Sequence, residues 1–286
     1  MAITAAQVKE LREKTGAGIM DAKKALVEAD GDIEKAMEVL RQKGVASADK
    51  KMSRIAAEGS IGSVIEGNIG AMIEVNCETD FVAKNDEFKA LVNEMAACVL
   101  KSNPKDLDEL NEVKMESGLT VAEYIKEKIS KIGEKITLRR FIRYEGSVAT
   151  YIHNFKIGVL LKTSASNEEI AKDVCLHIAS SAPEFVSRKD IPQDVIAEET
   201  RIEMGKDDLA KKPEQIRAKI VEGRVNKLMS HRCLLEQPFV KNPDQTIEAL
   251  VDGKFEILEF TRWNLGEGLE KKQENFAEEV MNQLNK

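Results

Sequence analysis

Three histidines, four cysteines and several carboxylate pairs are the side chains of this 286-residue chain that could carry acid–base, nucleophilic or metal chemistry. His153, His177 and His231 lie far apart and outside any HExxH pattern, and no GxSxG motif supplies a nucleophile. His177 and His231 fall in helical patterns, the first read as partly buried and the second as solvated. His153 falls at a predicted bend, where a solvated role is the simpler reading and a partner contact the sharper one. Cys77, Cys98, Cys175 and Cys233 form no CxxC pair, so neither a zinc ribbon nor a redox pair is expected. Each adjoins apolar residues and reads as a small core residue in a reduced, cytoplasmic chain. Glu198-Glu199 and Asp207-Asp208 sit in charged helical runs, which are solvated faces before they are catalytic dyads. The glycines of "TGAG" could bring backbone amides to a phosphate, but the stretch follows a helix and lacks the GKS or GKT ending of a phosphate loop. No metal or cofactor is expected.

Binding chemistry has a better candidate in "VNCETDFVAKND", residues 75–86. Phe81 is a large aromatic set between Asp80 and Val82 in a tract polar enough for the surface. An exposed ring beside a carboxylate suits a protein contact, with area to bury and a charge to aim.

The elements that must position it can be read from periodicity. Residues 1–47 read as three short helices: one capped by Thr4, one with Ile19, Ala22, Leu26 and Ala29 at helical spacing, and one with Ile33, Ala36, Met37 and Leu40. The polar tract from Val45 to Gly59 reads as a linker or frayed helix. "GSIGSVIEGNIGAMIEVNCE" alternates and bends at Glu66-Gly67-Asn68, as a hairpin does. A helix with Phe88, Leu91, Val92, Met95, Ala96 and Val99 inward follows. Next come a loop over 103–117, a helix from Thr120 and a strand carrying Ile136, Leu138, Arg140 and Ile142.

The pattern then recurs. "EGSVATYIHNFKIGVLLKTSASNEEIAKDV" starts at Glu145 as "EGSIGSVIEGNIGAMIEVNCETDFVAKND" starts at Glu58. A late strand, 254–264, completes the second copy, so the chain reads as a duplicated strand-strand-helix-strand unit. Charged helical runs over 187–232, with Ile216, Ile220, Val221, Val225 and Leu228 on one stripe, read as an inserted antiparallel hairpin. The chain closes on an amphipathic helix with Leu269, Phe276, Val280 and Leu284 on one face.

The repeat turns Phe81 into a geometric expectation. With Ser166 capping the second-copy helix, Ile170, Val174 and Ile178 face inward. Ile170 then matches Val82, and the outward Glu169 matches Phe81. One continuous helix through Phe81 and Phe88 would instead bury both rings. It would also turn Asp86 inward beneath Val82, so a new helix starting at Asn85 or Asp86 is preferred.

The net charge of −7 opposes broad nucleic-acid binding, which needs a basic face. No stretch approaches the roughly 18 apolar residues of a membrane span, and the charged N-terminus does not read as a secretory signal.

Taken together, "KELREKTGAGIMDAKKALVEADGDIEKA", "VNCETDFVAKND" and the ordered "IGVLL", "PEFV", "VEGR" and "QPFV" resemble the elongation factor Ts family over nearly the whole chain. The resemblance implies an α+β fold. Its parts are a ubiquitin-associated-like helical domain with linker (1–54), a core N-subdomain (55–140), a core C-subdomain (141–263) with an inserted arm (187–232), and a C-terminal helical module (264–286). It implies a guanine-nucleotide exchange factor for elongation factor Tu, acting by protein contact and not as an enzyme in the covalent sense. The resemblance implies that the segment Thr79, Asp80, Phe81 and Val82 enters the GTPase near its magnesium site, with Asp80 and Phe81 as the wedge. Arg12, Ile19 and Met20 would grip the same partner. His153 would touch it from the C-subdomain, although "YIHNF" departs from the family's neighbouring residues. The arm mediates homodimers in some members only. A different reading, a binding adaptor without exchange activity, would need binding that leaves GDP affinity unchanged.

Overall fold

The computed structural model describes residues 3–209 and 212–270, without the side chains of 45–47 and 49. The fold is α+β: helices at the N-terminus, then two three-stranded sheets with their helices. Two compact units divide the chain, one of Met1–Gly62, Ile73–Phe141 and Leu265–Lys286, the other of Ser63–Met72 and Ile142–Asn264.

The first unit opens with α1 (Ala5–Thr15), started by a capping box in which Thr4 and Gln7 each accept the other's backbone N–H. Gly16 ends it at φ +68, a left-handed conformation that glycine adopts without penalty. α2 (Ile19–Glu28) and α3 (Ile33–Lys51) follow. Leu11, Ala22, Ala25, Leu26, Ala29 and Ala36 form their core. Helix α3 runs through the tract expected as a linker. Tertiary contact overrides its polarity: Lys51 Nζ reaches the Ile129 carbonyl, and Gly44 lies so close to Ser130 that a Cβ would come within 2.7 Å of its hydroxyl.

β1 (Glu58–Glu66) and β2 (Ile69–Cys77) form the expected hairpin, turning at Gly67 with φ +59. β3 (Thr137–Glu145) completes the sheet in the order β1-β2-β3. Between β2 and β3 lie α4 (Asp80–Lys84), α5 (Asp86–Ser102), α6 (Leu107–Glu112) and α7 (Val121–Ile132). All six apolar residues expected inward on α5 are buried. The loop expected over 103–117 contains α6. Its apolar pattern is too short to show periodicity, but the Asp106 carboxylate caps the Glu109 N–H at 2.8 Å and Leu110 is fully buried. Glu74 of β2 is a wholly buried carboxylate. It takes Arg139 at 2.8 Å, Arg140 at 2.6 Å and the Gly266 N–H at 2.8 Å.

In the second unit β4 (Ser147–His153), β5 (Ile157–Thr163) and β8 (Ile257–Asn264) form an antiparallel sheet in the order β4-β5-β8, with Ser147 opposite Thr163 and Gly158 opposite Trp263. α8 (Glu168–Ser181) supplies Val174, Cys175 and Ile178 to the core with Val159 and Leu161 of β5. The strand-strand-helix-strand order of the first sheet is thus repeated. The cap of α8 is Asn167, not Ser166: its side chain accepts the Ile170 N–H at 3.3 Å. His177, expected to be partly buried, is wholly buried, because the turns between α10 and β7 close over it.

α9 (Gln193–Met204) and α10 (Glu214–Arg232) pack together over Leu209, Val221, Val225 and Met229. Ile216 lies at the start of α10, outside that cluster, and is exposed despite its helical spacing. β6 (Pro238–Phe239), β7 (Asn242–Thr246) and α11 (Ile247–Val251) lead to β8, which starts three residues later than the expected 254. Of the expected C-terminal face, Leu269 is exposed, and Phe276, Val280 and Leu284 lie outside the described residues. No described helix is long and apolar enough to cross a membrane.

Candidate protein-interaction site

Strand β2 delivers the chain to Cys77, buried and unpaired in any disulfide. Its thiol points to the Thr79 carbonyl at 3.2 Å, and burial, followed by the Glu134 carboxylate, pushes its pKa up to about 12. The thiol is therefore inert packing.

Thr79 turns the chain into α4. Its extended backbone and hydroxyl make it the N-cap, with Oγ1 accepting the Val82 N–H at 3.3 Å. Helix α4 lasts five residues, because Asn85 takes an extended backbone and caps α5 by accepting the Glu87 N–H at 2.8 Å. That break is the one the sequence favoured. It buries Ala83, half-buries Val82, and leaves Phe81 81% exposed. Asp80 pairs with Lys84 one turn on, at 2.6 Å. Ser60 of β1 donates to the Ala83 carbonyl at 3.3 Å, tying the helix down from below.

A second anchor comes from the turn after α7. Gly133, at φ +90, ends that helix and swings Glu134 and Lys135 toward the site. Glu134 Oε2 accepts the Glu78 N–H at 3.1 Å and the Thr79 N–H at 3.0 Å, and Oε1 accepts the Thr79 hydroxyl at 2.6 Å. The clasp is reciprocal: the Glu78 carboxylate accepts the Lys135 N–H at 2.6 Å and pairs with Arg54 at 3.2 Å. Bonds of this kind, with one ionised member, are each stronger than a neutral pair. Periodicity cannot reveal them, since Glu134 and Thr79 are 55 residues apart and both lie in turns, outside any periodic element.

The N-terminal candidates share the first unit. Ile19 and Met20 open α2 just past Gly18 and are 58% and 62% exposed, so the helical spacing that placed Ile19 among core residues misleads. In the first turn of α2, Ala22 faces the core shared with α1 and α3, and Ile19 and Met20 face solvent. Arg12 is exposed, its Nε donating to the Ala17 carbonyl at 3.3 Å. His153 belongs to the second unit. It is exposed at the end of β4, stacked with Tyr151 and hydrogen-bonded through its two ring nitrogens to Tyr151 and Asn154. The turn it opens holds both Asn154 and Phe155 at positive φ.

Nothing in this arrangement forms a nucleophile–base pair, and the described residues hold no group of three or more His, Cys, Asp or Glu placed for a metal ion. What the first unit offers is an exposed ring and a carboxylate on a short, tied helix, with a separate exposed apolar pair on α2.

The model of the family described as elongation factor TS matches residues 78–267. The chain is 47% identical over 289 residues to a protein named elongation factor Ts from Alkalilimnicola ehrlichii, covering 99% of each. It is 46% identical over 290 residues to one of the same name from Methylococcus capsulatus, again covering 99% of each. Matched along nearly its whole length, with the TDFV segment inside the matched region, the chain belongs to the elongation factor Ts family.

Proposed function

We propose that the chain is a guanine-nucleotide exchange factor for elongation factor Tu in the cytoplasm. It binds the GDP-loaded GTPase, promotes GDP release by disturbing the magnesium and phosphate site, and stays bound until GTP enters. The observation that carries this is Phe81: a phenyl ring 81% exposed on a helix anchored at both ends. Exposing such a ring is unfavourable in water, and anchoring it lowers the entropy lost when it is buried in a partner. Asp80 and Phe81 act as the wedge, with Thr79 and Val82 framing it. Arg12, Ile19 and Met20, on a module of ubiquitin-associated type, grip the GTPase, and His153 touches it from the second unit.

Exchange needs no covalent chemistry on this chain. Magnesium and backbone amides hold a nucleotide's phosphates. A partner that prefers the distorted site lowers nucleotide affinity, and nucleotide lowers the partner's affinity by the same factor. Residues 187–232, read as an inserted hairpin, offer Ile202, Met204 and Ile216 as exposed apolar contacts for a second copy.

Stopped-flow release of a fluorescent GDP analogue from elongation factor Tu tests the reading. Phe81→Ala is expected to slow release at saturating factor at least tenfold; an unchanged rate rejects the wedge.

A further inference from the structure

We propose that Glu134 is the positioning residue for the wedge: it touches no partner, and it acts by holding Phe81 in its exposed setting. The role rests on the exchange reading above. The observation behind it is the convergence of three donors on one carboxylate. The Glu78 N–H, Thr79 N–H and Thr79 hydroxyl all end on Glu134, at 3.1, 3.0 and 2.6 Å.

The geometry makes Thr79 a relay. Its hydroxyl has one hydrogen, and Glu134 takes it, which leaves the oxygen lone pairs turned toward the Val82 N–H. Glu134 thus fixes the rotamer that lets Thr79 cap α4. A five-residue helix has too few internal bonds to persist without such help. Losing the cap frees the backbone of residues 80–82, and Phe81 then samples many directions. Its side chain loses no contact of its own, because it has little burial to lose. Glu134 is half-buried, so the cost of its removal falls on local order more than on the core.

Glu134 is separable from general stability because the clasp has a second half. The Glu78 carboxylate holds the Lys135 N–H, and Lys135 Nζ holds the Arg54 carbonyl at 2.9 Å. Those bonds keep the two turns together when Glu134 is shortened. Glu134→Gln provides the conservative control. Its oxygen can accept the two N–H groups while its NH2 donates to the Thr79 hydroxyl, which still accepts elsewhere.

The test is a double-mutant cycle on GDP-analogue release at saturating factor. Glu134→Ala is expected to slow release about tenfold, or about 1.4 kcal/mol. The half-saturating factor concentration should move less than threefold. Glu134→Gln should keep more than half the rate. Glu134→Ala with Phe81→Ala should be slower than Phe81→Ala alone by much less than the tenfold of Glu134→Ala, since Glu134 acts through the short helix that carries both the ring and Asp80. Full rate in Glu134→Ala, or slowing that multiplies in the double variant, overturns the role. If Glu134→Ala does not fold at the assay temperature, Thr79→Val reads the same bond, and full rate there overturns the role equally. The two readings fail differently. Phe81→Ala at full rate removes the exchange wedge and Glu134 with it, whereas Phe81→Ala slow with Glu134→Ala fast removes Glu134 alone.

Discussion

Phe81 and Glu169 hold the same position, the second residue of the helix that follows the second strand of their sheet, and both face water. Thr79 and Asn167 cap those helices in the same way, each accepting an N–H three residues on. One fold therefore accepts a ring or a carboxylate at this site. Phe81→Glu, which copies the second sheet's choice, is expected to leave the thermal midpoint within about 2 °C, as surface substitutions do. The same variant should lose nucleotide release at saturating factor. A large drop in midpoint by calorimetry would mean that the ring is structural.

Ile19 and Met20 make a different contribution. They sit in α2, away from the tied segment, and would add affinity without acting on the phosphate site. Ile19→Ala and Met20→Ala are each expected to raise the half-saturating factor concentration about tenfold, the scale of a truncated interface anchor. The saturated release rate should stay the same, as when binding is lost equally from ground and transition states. A fall in the saturated rate would place these residues in the exchange step itself.

Glu74 is a stability prediction. Burial alone would push its carboxyl up, but the Gly266 N–H, Arg139 and Arg140 outweigh burial and hold it below the ordinary carboxylate range. Glu74→Gln leaves two guanidinium groups facing a neutral amide. Breaking such a pair costs about 3–5 kcal/mol. Both arginines keep partial exposure, which favours the lower end. Urea unfolding checks this, and a loss under about 1 kcal/mol would show that water already screens the pair.

Much of this could be read from residue patterns, and the exceptions share a cause. The hairpin at Gly67, the inward face of α5 and the break at Asn85 follow from local spacing and capping chemistry, and each appears where expected. Ile19 and Ile216 have core spacing but lie exposed at helix starts, where no described element covers the stripe. Periodicity records a face, not whether anything packs on it. Helix α3 outran its expected end because α7 supports it, and the Glu134 clasp joins turns distant in sequence. Both depend on contacts that only the folded chain brings together.

His177 gives the pH dependence. It is wholly buried with both ring nitrogens in use: Val240 donates its N–H to Nδ1 at 3.2 Å, so the ring proton sits on Nε2 and is given to Gln237 Oε1 at 2.8 Å. Protonating Nδ1 would set two N–H groups against each other inside the core. Burial lowers the folded-state pKa, and the Gln237 bond offsets that only in part. The unfolded chain then binds the proton more readily than the folded one, so stability rises with pH across the window. The contribution is complete above the ordinary histidine value of about 6.5 and is lost as pH falls below it, with a slope of at most about 1.4 kcal/mol per pH unit. His177→Asn retains an acceptor near Nδ1 and cannot titrate. It should cost about 2 kcal/mol at pH 8 through the lost Gln237 bond and packing. The gap between variant and wild type should then narrow between pH 7.5 and pH 5.5, because only the wild type loses stability there through His177. Urea midpoints at four or five pH values measure the gap, and parallel curves would show that His177 does not titrate in that window.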